Sequence, residues 1–150
     1  MLKKPFSVLV VIQNTRNEFL LIQRADDAAF WQSVTGCIED NETPIQCAYR
    51  EVFEETGINC EDLGYTIADL DITNYYDIRK DWRHRYESGS ITNTEYVFYL
   101  KVETDTAITL DPNEHTDFVW LDFKTAHTRF YSKTNKEAAE LIFKNQNCKL

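Results

Sequence analysis

The chain has 150 residues, 43% of them hydrophobic, and a formal net charge of −9. That is enough apolar material for the core of one ordinary domain, and nine Phe, eight Tyr and three Trp exclude a disordered chain. The acidic balance excludes a non-specific nucleic-acid binder, which needs a basic face; an anionic ligand would need a local basic patch or bridging metal ions to approach.

Lys3 and Lys4 precede the apolar run Phe6 to Ile12. A signal peptide would be followed by a small-residue cleavage site. Here Gln13 to Asn17 reads as a polar turn and a second apolar run, Phe19 to Gln23, begins, so two strands are expected. Their continuous apolar character predicts burial on both faces. Ser33-Val34-Thr35 is a further short extended candidate ended by Gly36, and Cys37 to Glu42 reads as a loop.

The next segment carries both helix signals. Thr43 is the expected N-cap, Pro44 suits the first helical position, Gln46 completes a capping box, and Gly57 is a left-handed terminator. At 100° per residue, Ile45, Tyr49, Val52 and Phe53 are expected to form the core face, with an acid face elsewhere. Tyr65 to Asp71 reads as extended, continuing to Ile78, followed by a polar, basic stretch from Arg79 to Thr94. Glu95 to Val102 and Asp117 to Leu121 read as strands. Lys133 to Asn145 reads as a closing helix with Ala138, Leu141 and Ile142 inward.

These elements predict an α+β sandwich with a mixed sheet. Pro and Gly together number seven and no repeat or linker is visible, so a single domain over residues 1–150 is expected. Nothing approaches the length of a membrane span. Cys37, Cys47, Cys60 and Cys148 form no Cys-x-x-Cys pair and no zinc spacing with the three histidines. They read as free thiols of a reducing, cytoplasmic compartment.

The helix carries the sharpest question. Residues 50–58 read REVFEETGI, which places Glu51, Glu54 and Glu55 on neighbouring helical positions, with Arg50 beside them. Like charges at such spacing cost a few tenths of a kcal/mol per pair. Either the face is merely solvated or a cation belongs there. Mg²⁺ is a hard ion that takes carboxylate, water and phosphate oxygens, so three such carboxylates can hold divalent ions against a diphosphate.

Residues 36–58, GCIEDNETPIQCAYREVFEETGI, resemble the Nudix box at every defined position: Gly36, Glu42, Arg50, Glu51, Val52, Glu54, Glu55, Gly57 and Ile58. The resemblance implies a Nudix-like α/β/α sandwich with a mixed central β-sheet, and hydrolysis of a phosphoanhydride by water. Glu51 and Glu55 are then the principal metal ligands, Glu54 a ligand or base, and Arg50 the residue that orients them. Gly36 permits the turn into the loop, and Glu42 ties the loop down or reaches a metal through water. Asn41, where the family commonly has Gly, tolerates a left-handed backbone. The implied cofactor is Mg²⁺ or Mn²⁺, one to three ions.

The flanks DDAAFWQSVTG, WRHRY and NTE resemble one bacterial branch of the family from about Lys3 to the final helix. That branch hydrolyses 7,8-dihydroneopterin triphosphate to the monophosphate and pyrophosphate, a step toward folate. By that resemblance Lys3, Arg24, Thr35, Tyr76, Asp77, Ile78, Arg79 and Ser132 line the substrate pocket, and Glu114 is a further metal ligand. The partner implied is a small-molecule pterin or nucleotide triphosphate, with no nucleic acid and no membrane, on a monomer or weak homodimer. Lys3, Arg24 and the basic run Arg79, Lys80, Arg83, His84 and Arg85 read either as phosphate contacts or as solvated cations. Phe30 and Trp31 read either as core or as a stacking platform for a ring. His115 is not expected to ligate a hard ion. Two alternatives stand beside this expectation. One is a (d)NTP pyrophosphohydrolase acting on dATP or an oxidised nucleotide, and the other is a non-catalytic nucleotide-binding module, which would be expected to lack a metal-binding Glu.

Overall fold

The computed structural model describes residues 2–147. Strand β1 (Phe6–Asn14) is the spine of a mixed seven-stranded sheet. It pairs in parallel with β6 (Thr92–Val102) along its whole length, and β6 pairs antiparallel with β5 (Ala68–Asp77). On its other side β1 divides its partners. Ser7 to Val10 pair with β4 (Val34–Cys37), whereas β2 (Phe19–Arg24) joins only at Gln13 and Phe19. Strand β2 in turn carries β3 (Trp31–Gln32) and β7 (His115–Leu121).

The reason β1 reads as an unbroken apolar run is that its two faces serve two cores. Val8, Val10 and Ile12 pack with Cys47, Ala48 and Val52 of helix α1 (Pro44–Thr56) and with Ile58, Phe98 and Leu100. Leu9 and Val11 pack with Phe19, Leu21 and Val97, with Ala126 and Phe130 around helix α3 (Phe123–Arg129), and with Ala138, Ala139 and Ile142 of helix α4 (Lys133–Asn147). Helices therefore cover both faces of one sheet, the expected α/β/α sandwich. Each fully buried aliphatic side chain contributes about 1.5–3 kcal/mol to that arrangement.

Several local expectations are corrected. Gln13 and Asn14 belong to β1, not to a turn. Gln13 is buried and accepts hydrogen bonds from Tyr99 and Gln146, and the hairpin closes after Asn14, whose side chain receives the Arg16 and Glu18 amides. Strand β4 runs on through Gly36 to Cys37. Strand β5 begins at Ala68 and stops before Ile78, while Tyr65 bonds to Thr106 and Glu103 instead of entering the sheet. The basic stretch forms a 3-10 helix, Lys80–Arg85, and Thr92 already belongs to β6. The short α2 (Cys60–Leu63) and α3, capped by Asn59 and Asp122, carry no amphipathic pattern long enough to be read from sequence.

The helices are also rotated from expectation. In α1, Ile45 and Phe53 are exposed, and the buried residues are Cys47, Ala48, Val52, Glu55 and Thr56. Small side chains face the sheet, and the larger apolar ones sit at the rim. In α4, Ala139 takes the inward place expected of Leu141, which is exposed. Cys37, Cys47 and Cys60 are free thiols; Cys148 lies outside the described residues. Among the described residues no helix is long and apolar enough to cross a membrane.

Candidate active site

The caps that set α1 are those read from sequence. Thr43 accepts from the Gln46 amide at 3.3 Å and the Gln46 side chain accepts from the Thr43 amide at 2.9 Å. Gly57 ends the helix in the left-handed region (φ 74°), donating to Phe53. Asn41 adopts φ 62° in the preceding loop. Glu42 accepts from the Glu39 amide and so holds that loop closed.

Arg50 gathers the segment. Its guanidinium donates to both Glu42 oxygens at 2.7 and 2.9 Å, to the Cys37 carbonyl at 3.0 Å, to Glu54 at 2.9 Å and to Glu51. This fork is geometry a lysine does not supply. The Arg50 hydrogen bonds hold the Glu42 carboxyl down at about 2. A depressed folded pKa gives stabilisation that is complete above the ordinary value of 4.5 and is lost as pH falls through about 2. Glu42→Gln is therefore expected to lower stability by about 1–2 kcal/mol at pH 7. The deficit should shrink as pH drops from 5 toward 2, as read from urea midpoints at each pH.

The three glutamates occupy three environments. Glu54 is half exposed, Glu51 is largely buried, and Glu55 is 4% exposed. Burial raises the Glu55 carboxyl well above the usual range and the adjacent Glu51 raises it further; burial likewise raises Glu51. Glu55 thus lies on the buried side of the helix, so the acid and core faces meet, contrary to the separate faces expected. Its Oε1 is buried without a hydrogen-bond partner. His115 faces it with Nε2 at 3.9 Å, but burial holds that imidazole down at about 4, so it offers no positive charge at neutral pH.

Gly36 is explained by contact. A Cβ there would fall 2.1 Å from the Glu51 carboxylate. Gly36→Ala is expected to displace that flexible side chain, lowering kcat by about tenfold or more with a stability change within about 1 kcal/mol. Steady-state rates and a thermal melt check both halves.

These groups open on a cleft of about 950 Å³, which also receives Lys3, Arg24, Thr35, Tyr76, Glu114 and Ser132. Of the expected pocket residues, Asp77, Ile78 and Arg79 do not line it: Ile78 is buried, and Arg79 pairs with Asp81 and stacks on Trp82 at 4.4 Å. Gly57 and Glu42 are likewise outside the cleft, holding the helix end and the loop. Arg24 pairs with Asp26 through two 2.8 Å hydrogen bonds and lies over Trp82 and Phe30. Thr35 donates to the Val8 carbonyl, and Ser132 accepts from the Asn135 amide at the start of α4. Glu114 is exposed on the segment before β7, and its charge acts on both Arg24 and Glu55.

The aromatic question separates by residue. Phe30 lines the cleft and stacks on Tyr131 at 4.1 Å, while Trp31 lies beneath Arg129 outside it. From the basic run only Trp82, Arg85 and Tyr86 reach the cleft. Sequence reasoning assigned no role to Glu95, Gln32, Asn135, Asn113 or Asp26, which also line it. For Glu95 the available signal was a carboxylate in phase with the buried alternation of β6.

Among the described residues no three His, Cys, Asp or Glu side chains already converge as a metal cage. Arg50 holds Glu51 and Glu54 in ion pairs. The donor set still fits a hard divalent cation. It is all oxygen, and it includes a buried carboxylate oxygen with no partner, beside a wall of like charges.

A family model described as NUDIX domain matches residues 3–143. The chain belongs to the Nudix family. It is 41% identical over 140 residues to the dihydroneopterin triphosphate diphosphatase of Escherichia coli K12, covering 92% of this chain and 91% of that one. The enzyme of the same name from Haemophilus influenzae is 37% identical over 133 residues, 88% and 83% of the two chains. The solved structure of the E. coli dihydroneopterin triphosphate pyrophosphohydrolase superposes with a TM-score of 0.90 at 38% identity, covering 97% of this chain and 99% of that one. The Nudix assignment and the mixed-sheet sandwich are thus as the sequence led us to expect.

Proposed function

We propose that this chain is a divalent-metal-dependent pyrophosphohydrolase that converts 7,8-dihydroneopterin triphosphate to the monophosphate and pyrophosphate. The observation that carries the reading is one cleft joining Glu51, Glu54 and Glu55 of the Nudix helix to aromatic and polar groups of ring-binding size, in a chain 41% identical to an enzyme of that name.

A divalent cation, Mg²⁺ or Mn²⁺, held by Glu51, Glu55, Glu54 and Glu114 would supply Lewis acidity, neutralising phosphate charge and making water more acidic. The chain's own residues do the rest. Lys3 and Arg24 draw the triphosphate into an otherwise acidic cleft. Arg50 fixes the carboxylates so that little reorganisation accompanies reaction. Glu54 reaches solvent and is placed to pass a proton outward when water adds to phosphorus and the α–β anhydride bond breaks. Phe30 and Trp82 offer aromatic surface to the ring.

This reading takes the chain as one domain working in a reducing, cytoplasmic compartment, supported by its free thiols. The non-catalytic alternative loses its ground because no glutamate of the set is missing. The test is pyrophosphate release with Mg²⁺ from dihydroneopterin triphosphate and dATP side by side. A kcat/KM at least about ten times higher for the pterin is expected; the reverse order would select the nucleotide reading.

A further inference from the structure

Glu95 is a second kind of carboxylate in the cleft. It is 4% exposed, yet it lines the cavity. The parallel register sets it beside Ser7, in phase with Val97 and Tyr99, so it rises from the face of the sheet covered by α4. The Nudix glutamates come from α1, on the other face. Among the described residues no cation lies within ion-pair distance of Glu95. Its hydrogen-bond partners are the Asn74 amide at 3.2 Å and the Tyr76 hydroxyl at 3.5 Å, with the Thr134 side chain also beside it; the long Tyr76 contact leaves acceptor capacity on the carboxylate. Tyr76 is itself held by Asn93, whose amide donates to it at 3.1 Å and to Ser7 at 2.7 Å. Burial pushes the Glu95 carboxyl up, against the opposing effects of Thr134, Asn74 and Tyr76.

A buried, unpaired carboxylate is expensive, and it repels phosphate, so it does not serve the triphosphate end of a ligand. It suits adjacent N–H donors. The 2-amino-4-oxopyrimidine edge of a pterin offers two side by side, a ring N–H and an exocyclic amine, matching both oxygens. Adenine offers one amine beside a ring nitrogen acceptor, which faces a carboxylate oxygen unfavourably. We infer that Glu95 is the specificity residue of this cleft, accepting the paired N–H donors of the pterin's aminopyrimidinone edge and thereby favouring it over adenine. This rests on the hydrolase reading above and refines it.

Two measurements test it on the full chain with Mg²⁺. Glu95→Gln replaces one acceptor by a donor at constant shape. It is expected to lower kcat/KM for dihydroneopterin triphosphate at least tenfold more than for dATP, on the scale of leaving buried polar groups mispaired. Equal losses on both substrates, or none, would overturn the assignment. The unaltered enzyme supplies the second arm, which no folding defect can affect. The substrate analogue lacking the 2-amino group is expected to lose about tenfold or more in kcat/KM, and an equal rate would overturn the assignment. Absence of pyrophosphate release from every triphosphate would instead bring down the hydrolase reading itself.

Discussion

Glu55→Gln is expected to reduce kcat about a hundredfold or more while leaving stability unchanged or higher. The two halves share one cause. Glu55 is buried, its Oε1 has no partner, and Glu51 sits beside it. Without a cation the ionised carboxylate costs stability through desolvation and repulsion. Gln keeps the shape and removes the charge, so the fold is relieved. What disappears is a negative oxygen preorganised for a cation, a change on the scale of losing one strong electrostatic stabiliser. Steady-state kinetics and a urea titration of the same preparation check the pair. Near-normal turnover would remove Glu55 from the metal set, and lost stability with lost turnover would reduce it to a structural residue.

Arg50→Ala should do the opposite to stability. Its guanidinium serves Glu42, Glu51, Glu54 and the Cys37 carbonyl together. Removing it leaves three carboxylates facing one another without a counter-charge and frees the loop that Glu42 ties down. A loss of about 2 kcal/mol is expected, below the 3–5 kcal/mol of a fully buried pair because the site is partly solvated. A kcat loss of about a hundredfold should accompany it, since the carboxylates are no longer held in place. Arg50→Lys restores charge without the fork, so it should recover part of the stability and little of the rate. Full recovery of the rate by Lys would show that charge alone matters and that orientation does not.

What could be read from the residues follows from how local each determinant is. The ends of α1 were legible because Thr43, Pro44, Gln46 and Gly57 act within one turn of the chain. The acid set was legible because its spacing is a property of the helix itself. The buried face of α1 was not, since Cys47 and Ala48 earn their place by allowing close approach to β1, a tertiary fact that outranks the larger Ile45 and Phe53. Glu55 could be expected as a ligand from the motif, but its burial could not be foreseen, because hydropathy places a carboxylate outside. Glu95 was hidden for the same reason: its meaning depends on the parallel register with Ser7 and on helix α4 across the sheet. Asp77, Ile78 and Arg79 came as one block with Tyr76, but strand alternation sets Asp77 on the opposite face and β5 ends before Ile78 and Arg79, leaving Tyr76 alone toward the cleft.

In the mechanism proposed here, the α1 carboxylates hold the divalent cation on which hydrolysis depends. The most direct test titrates Mg²⁺ into chelator-treated protein and follows pyrophosphate release from dihydroneopterin triphosphate, in parallel with Glu55→Gln. The expected result is no release without the cation, a saturable return in the parent, and a curve displaced to higher Mg²⁺ with a lower plateau in the variant. Full release in excess chelator, or identical curves for the two proteins, would contradict it.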